Sequence, residues 1–179
     1  MWLEAKDWTR SPSKFFRNYS VDDFRLILGD GKEQMNAKKQ RRIPILLSLH
    51  ESYFEEIKKG IKRYEYRKRY VKQPSFAYIY CTSPAKAVKG IVVFDTPIIG
   101  SPELISEISE KETGEGALTA EYLKGSNKGH AIPVVSWQEI EPISLDELRA
   151  HIAGFVPHQS YYRLDNKPEL LEYLKSRKP

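Results

Sequence analysis

The chain has a single cysteine, Cys81, in 179 residues. That excludes any disulfide within it and points to a reducing, cytoplasmic setting. Cys81 closes the apolar stretch Ala77-Tyr78-Ile79-Tyr80-Cys81, where a thiol reads as a small buried hydrophobe rather than a nucleophile. Histidine is also sparse. His50, His130, His151 and His158 have no ligand-like spacing, so neither a metal site nor a cofactor is expected. No apolar run approaches the ~18–20 residues of a membrane span. The first residues carry no apolar run of leader type. A membrane is therefore not an expected partner. There is no internal repeat and no low-complexity tract. Thr113-Gly-Glu-Gly116 lacks the Gly-Lys-Ser/Thr ending of a phosphate loop.

What the chain does have is charge, unevenly placed. The net charge is +5 and the pI near 9.1. Between Lys58 and Lys72 stand eight Lys or Arg and one acid, Glu65, with Tyr64, Tyr66 and Tyr70 interleaved. Residues 101–123 reverse the sign, with six Glu and one Lys. Segregation of this kind lets a basic face meet a polyanion while an acidic lobe points away. If residues 60–70 form a strand, period-two alternation puts Arg63, Glu65, Arg67 and Arg69 on one face and Tyr64, Tyr66, Lys68 and Tyr70 on the other. A glutamate among arginines aims their guanidinium groups and can accept a hydrogen bond from a base or amine. Arginine forks suit phosphate or a planar base edge. The competing reading is a solvated edge strand kept soluble by its charges.

The organisation follows from hydrophobic period and turn chemistry. Residues 1–42 stand apart as a basic arm or linker, with ten Lys or Arg, six acids and scattered apolar residues. Within this arm Ser20-Val-Asp-Asp23 resembles a helix start, followed by Phe24, Ile27 and Leu28 at helical spacing. A main domain is expected over 43–164 and a helical tail over 165–179. The near-continuous apolar run 43–49 predicts a strand buried on both faces. Tyr53, Phe54 and Ile57 predict an amphipathic helix over 51–59, with Gly60 as its left-handed cap. Further strands are expected over 76–82 and 86–99, with a break at Asp95-Thr-Pro97, and over 129–140. Helices are expected over 102–112, where Leu104, Ile105 and Ile108 form the apolar stripe, and over 118–124. Ser144-Leu-Asp-Glu147 is a capping box for a helix reaching Ile152. An irregular aromatic segment, 154–164, precedes a terminal helix over 168–175. One β-α-β unit followed by strands with short connections predicts an α+β fold with a mixed, mostly antiparallel barrel and flanking helices, not a doubly wound parallel sheet.

The residues Ile45-Leu-Leu-Ser-Leu-His50, then Tyr53, Ile57, Gly60, Lys62, Glu65 and Arg67, resemble the ASCH domain of the PUA-like superfamily. Its signature is a strand, a helix and then Gly-x-Lys-x-x-Glu-x-Arg on the next strand. The resemblance covers roughly residues 43–142. It implies a small pseudo-barrel that binds RNA or a nucleotide in a cleft between barrel and first helix, lined by Lys62, Glu65 and Arg67. Strict alternation sets Lys62 opposite Glu65, so convergence needs a bend or bulge beside Gly60. One branch of the family removes an acyl group from a modified cytidine with a threonine nucleophile. Lys62 and Arg67 match that branch, but Glu65 stands where the threonine would be, and a glutamate there can serve as a general base on water.

Three functions compete. The first is an RNA- or nucleotide-binding module with a basic cleft. Lys58, Lys59, Lys62, Arg67 and Arg69 would hold phosphates, and Glu65 would read a base donor. Tyr66, Tyr64 or Tyr161 would stack a base, although packing on the barrel is the better expectation for any one tyrosine. Ser48 joins the binding residues; it and Ser160 become nucleophiles only with a base nearby. The second is a hydrolase, either an amidohydrolase on a modified nucleoside or a ribonuclease, using Lys62 and Glu65 with His50 as a further candidate. Against it stands a structural ion pair. The third is a protein-interaction module using the acidic lobe or the N-terminal arm.

Overall fold

The near-continuous apolar run at 43–49 forms β1 (Ile43–Leu49), and its side chains alternate between two cores. Leu46 enters one, and Ile45, Leu47 and Leu49 enter the other. In this computed structural model, which describes residues 42–177, β1 lies one strand in from an edge of a seven-stranded sheet. The elements that follow are α1 (Glu51–Lys58), β2 (Tyr64–Arg67), β3 (Ser75–Cys81), β4 (Ala87–Phe94) and β5 (Ile98–Gly100). Then come α2 (Pro102–Thr113), α3 (Gly116–Leu123), β6 (Gly129–Ser144), α4 (Leu145–His151), β7 (Tyr161–Arg163) and α5 (Pro168–Lys175). The strand order is β2-β6-β4-β3-β1-β7, with β5 also paired to β6. Among the described residues only the β1–β3 pair is parallel. The sheet curls into a half-barrel with flanking helices, the mixed, mostly antiparallel α+β arrangement that the element order predicts.

Each face of the sheet is covered by helices chosen by their apolar stripes. On one face α1 inserts Phe54 and Ile57 among Ile45, Leu47, Ile79, Val92 and Phe94. On the other, α4 contributes Leu148 and α5 contributes Leu170 and Leu174 to a cluster built on Tyr78, Val88, Ile91 and Ile143. The capping box is present, since the Ser144 hydroxyl accepts from the Glu147 amide at 3.1 Å. Cys81 is fully buried, and burial pushes its thiol up to about 11, so it is the inert hydrophobe that its setting predicts.

Several expectations are corrected. The basic strand expected over 60–70 is ordered as β only from Tyr64 to Arg67. Before it, the Ile61 and Lys62 amides donate to the Glu56 carbonyl and close the end of α1. After it, Arg67 already faces His130, the second residue of β6, so the ladder runs out. Tyr70 therefore leaves the Tyr64 and Tyr66 face. It enters the core against Phe94 and Tyr161, and its hydroxyl meets Ser75 Oγ at 2.8 Å. In the stripe expected on α2, Ile105 is buried but Leu104 is exposed, and the buried Ser109 takes the inner position. The aromatic tail contains a short strand, β7, antiparallel to β1. The acidic lobe does not point away. Arg63 pairs with Glu112 on α2 at 2.5 Å, because opposite charges and the apolar faces of Tyr64 and Tyr66 draw α2 onto β2. The expected helix after Ser20, with the whole arm up to residue 41, lies outside the described residues.

Gly90 is where α1 crosses β4. A Cβ there would stand 2.4 Å from Phe54 Cζ and 2.7 Å from the Gln138 carbonyl oxygen. Both neighbours are fixed, one in the core and one in a strand. Gly90→Ala is expected to destabilise the fold by about 2 kcal/mol, as overpacking does. Urea unfolding checks this, and an unchanged midpoint would show that α1 yields.

Candidate active site: a cleft at the seam of the half-barrel

The open seam of the sheet lies between β2 and the end of β1, and a cleft of about 280 Å³ sits there. Ser48, Leu49 and His50 line it from β1 and the turn into α1. Tyr53 comes from α1, Lys62, Glu65, Tyr66 and Arg67 from the β2 segment, and Glu115, Leu118, Thr119 and Tyr122 from α3 and its N-terminal flank.

The floor is an ion cluster made by local geometry. His50 caps α1, its Nδ1 accepting from the Ser52 amide at 3.4 Å and lying 2.9 Å from Ser52 Oγ. Gly60, at φ +72°, turns the chain back under α1, a conformation that favours glycine. Lys62 therefore precedes the strand, and alternation does not apply to it. Its ammonium lies 3.5 Å from Glu65 Oε2 and 5.0 and 5.1 Å from the ring centres of Tyr53 and Tyr66. Glu65 and Arg67, two apart on β2, share a face, and Arg67 Nε donates to Glu65 Oε1 at 2.7 Å. Arg67 Nη2 donates to the Ser48 carbonyl at 2.8 Å and ties β2 to β1 across the seam. Lys62 is 9% exposed and Glu65 5%, so both charges are desolvated and need each other.

These contacts divide the labour. Arg67 is committed to Glu65 and to Ser48, so it positions. Lys62 has three donors and one carboxylate partner, and its remaining polar reach opens to the cleft between two aromatic faces. The floor carries two cations against one carboxylate, and Glu115 adds a second carboxylate on the opposite wall. The positive charge therefore belongs to the floor and not to the whole lining. Burial raises the Tyr66 hydroxyl far above the usual phenol range, which keeps it a neutral, stackable ring. Behind β2, His130 is buried with Nδ1 3.2 Å from the Arg67 carbonyl. Burial lowers its pKa, with Lys128 and Lys72 acting in the same direction.

Of the residues singled out from the sequence, Ser48, Lys62, Glu65, Tyr66 and Arg67 meet in the cleft, and His50 stands at its edge. Lys59 is exposed at the end of α1, Arg69 is exposed beyond β2, and Tyr161 packs on Tyr70 at 5.1 Å; none of the three lines the cleft. Lys58 is held by Glu55 and Glu139. The Ser48 hydroxyl donates to the His158 carbonyl, a structural tie with no base beside it. The Ser160 amide donates to His158 Nδ1 at 3.0 Å. Among the described residues no group of His, Cys, Asp or Glu gathers to hold a metal, and no helix is long and apolar enough to cross a membrane.

The chain is 29% identical over 122 residues to a curated Zymomonas mobilis protein named "ASCH domain-containing ribonuclease", covering 64% of this chain and 80% of that one. The crystal structure of ASCH from Zymomonas mobilis superposes with a TM-score of 0.65 at 26% identity, over 76% of this chain and 97% of that one. A tyrosine-to-phenylalanine mutant of the same protein gives 0.66 at 27%, over 75% and 98%. No protein-family profile matches the chain. The chain carries an ASCH domain.

Within this ASCH domain, sequence reasoning missed the wall opposite Lys62. The signal was present in α3, where Leu118 and Tyr122 are four apart on one face, while Thr119 and Leu123 face inward. Leu118 is 69% exposed and Tyr122 45%, and both line the cleft. Tyr53 is a comparable case: its helical spacing with Phe54 and Ile57 suggests core, yet it is 44% exposed and roofs Lys62.

The ion cluster supports a double-mutant cycle. Arg67→Ala leaves Glu65 buried with one distant partner and is expected to cost about 3–5 kcal/mol. Glu65→Ala/Arg67→Ala is expected to cost clearly less than the sum of the two single changes. Additive losses in urea unfolding would show that the pair is not coupled.

Proposed function

We propose that the ASCH cleft binds RNA, receiving one nucleotide. Lys62 donates to a phosphate oxygen, and Glu65 accepts from a base or ribose donor. Tyr66 and Tyr53 on one side, and Tyr122 on the other, give the base an aromatic face, a contact that contributes roughly 1–3 kcal/mol per stacked base. Arg67 holds Glu65 in place, and Ser48 holds the wall. The observation that carries this is the buried Lys62–Glu65–Arg67 cluster at the floor of an open, aromatic-rimmed cleft. A protein maintains desolvated charge at such a place at a cost in stability, and a ligand that uses the charge accounts for the cost. The name of the Zymomonas relative supports RNA as the ligand class. The single buried thiol suits a cytoplasmic setting.

A second reading goes further, to cleavage of the bound RNA, and the same relative's name favours it. Glu65 would take the proton of the ribose 2′-hydroxyl as that oxygen bonds to the adjacent phosphorus. The bond to the 5′-oxygen breaks, leaving a 2′,3′-cyclic phosphate and a 5′-hydroxyl that takes its proton from water. Lys62 would stabilise the charge gathering on the phosphoryl oxygens. A general base must reach the proton that it removes. Glu65 Oε2, with only Lys62 at 3.5 Å, is the oxygen available for that.

The test is binding of a single-stranded oligoribonucleotide to wild type and to Lys62→Gln, with RNA integrity read from the same mixtures. Lys62→Gln is expected to weaken binding at least tenfold, the loss of one charge-assisted contact, and to stay folded at the assay temperature while melting below wild type, because Glu65 loses a partner. Unchanged affinity would overturn the binding proposal. RNA shortened by wild type but intact with Glu65→Gln would establish the second reading, and RNA left intact by wild type would remove it.

A further inference from the structure

Most cations that flank the cleft region are neutralised. Lys58 is held by Glu55 and Glu139, Arg63 by Glu112 and Lys89 by Glu51. The face around His130 differs. Four lysines meet there: Lys68, Lys72, Lys124 and Lys128. Among the described residues a carboxylate reaches just one of them, Lys124, from Glu121 at 3.4 Å, and both partners are about three-quarters exposed. A pair so exposed leaves most of its charge unscreened by the partner.

Strand register explains the gathering. Arg67 pairs with His130 in an antiparallel ladder, so Lys68 stands just past the end of β2 and Lys128 just before the start of β6. Lys68 then leans to α3, with its ammonium 5.5 Å from the Tyr122 ring centre and 3.5 Å from the Lys124 carbonyl. Lys128 and Lys72 lie close enough to His130 for both to disfavour its protonation. Tyr122 itself lines the cleft. The four therefore share one face that starts at the cleft rim: Lys68 meets Tyr122 and the Lys124 carbonyl, and Lys128 and Lys72 flank His130. The cleft, at about 280 Å³, falls just below the ~300–1,000 Å³ of drug-sized ligand sites, so it takes one nucleoside-sized group and not an oligomer. Any longer ligand must continue outside.

We propose that these four lysines are a phosphate track for single-stranded RNA, which leaves the cleft over Tyr122 and lays its flanking backbone along Lys68, Lys124, Lys128 and Lys72. The proposal rests on the RNA-binding reading of the cleft and adds the path and the length of the substrate: an oligomer, bound on one side of the cleft. A duplex does not fit it, because the nucleotide in the cleft must be free of a paired strand.

The experiment compares a nucleoside monophosphate, a dinucleotide and a dodecanucleotide, all RNA and single-stranded, across a salt series. The proteins are wild type, a variant with all four lysines changed to Gln, and Lys86→Gln/Arg149→Gln. The last pair neutralises two exposed cations beside α4, at the far end of the long strand β6. Wild type is expected to bind the dodecamer more tightly than the dinucleotide. In the four-lysine variant that advantage disappears, and the slope of log K against log salt becomes shallower by roughly two to three, at about 0.7 per phosphate contact. Monophosphate binding stays within about twofold of wild type, and Lys86→Gln/Arg149→Gln leaves all three ligands unaffected. A dodecamer bound no better than the dinucleotide by wild type overturns the track, as does a four-lysine variant with the wild-type slope. An equal loss from Lys86→Gln/Arg149→Gln also overturns it, by showing diffuse attraction. If wild type binds the dodecamer through Lys62 but ignores the four lysines, the track alone falls. If it binds no RNA, the cleft reading and the track fall together.

Discussion

Arg67 holds the seam. Its Nε donates to Glu65 and its Nη2 to the Ser48 carbonyl, so a single side chain ties the edge strand β2 to the end of β1, which is not its neighbour in the sheet. The planar fork can do this because its donors are fixed relative to one another; a lysine has no such geometry. With Glu65 held by that fork, its second oxygen faces Lys62, and Lys62 is fixed between Tyr53 and Tyr66. The chemistry of the cleft is thus arranged from behind, by a residue whose own hydrogen bonds point into the fold.

Charge is distributed accordingly. The basic segment that dominates the sequence around residues 58–72 does not act as one patch. Lys58 and Arg63 neutralise acids on other elements, Lys62 and the half-buried Arg67 hold the buried Glu65, and Lys68 and Lys72 are exposed on the face around His130. One contiguous run therefore supplies structure, site and surface. The acidic α2–α3 lobe is drawn into the same design, with Glu112 pairing to Arg63 and Glu115 lining the cleft.

The sheet was legible wherever burial decides the pattern. The apolar run at 43–49, the stretch expected over 76–82 and found at 75–81, and the break at Asp95-Thr-Pro97 each led to the right element, because alternation and turn chemistry are local. The short β7 was not legible: three residues carry too little period, and β1 creates the strand by pairing with it. The Lys62, Glu65 and Arg67 trio came from the likeness to the ASCH signature, whereas period-two spacing set Lys62 on the opposite face; their convergence depends on a backbone turn at Gly60 and on a strand that begins later than its charge pattern suggests. Lys59 and Arg69 illustrate the limit. Spacing put them with the others, but a helix end and a ladder that ran out left both outside the lining. The α3 wall escaped because a helix with one exposed apolar face looks, in sequence, like any short amphipathic helix.

The most direct measurement is amide chemical-shift mapping with a short single-stranded oligoribonucleotide. The account predicts that the perturbed amides trace the seam: Ser48 to Tyr53, Lys62 to Arg67 and Glu115 to Tyr122, all lining or flanking the cleft. Perturbations confined to α4 and α5, on the opposite face of the sheet, or none at saturating RNA, would contradict it.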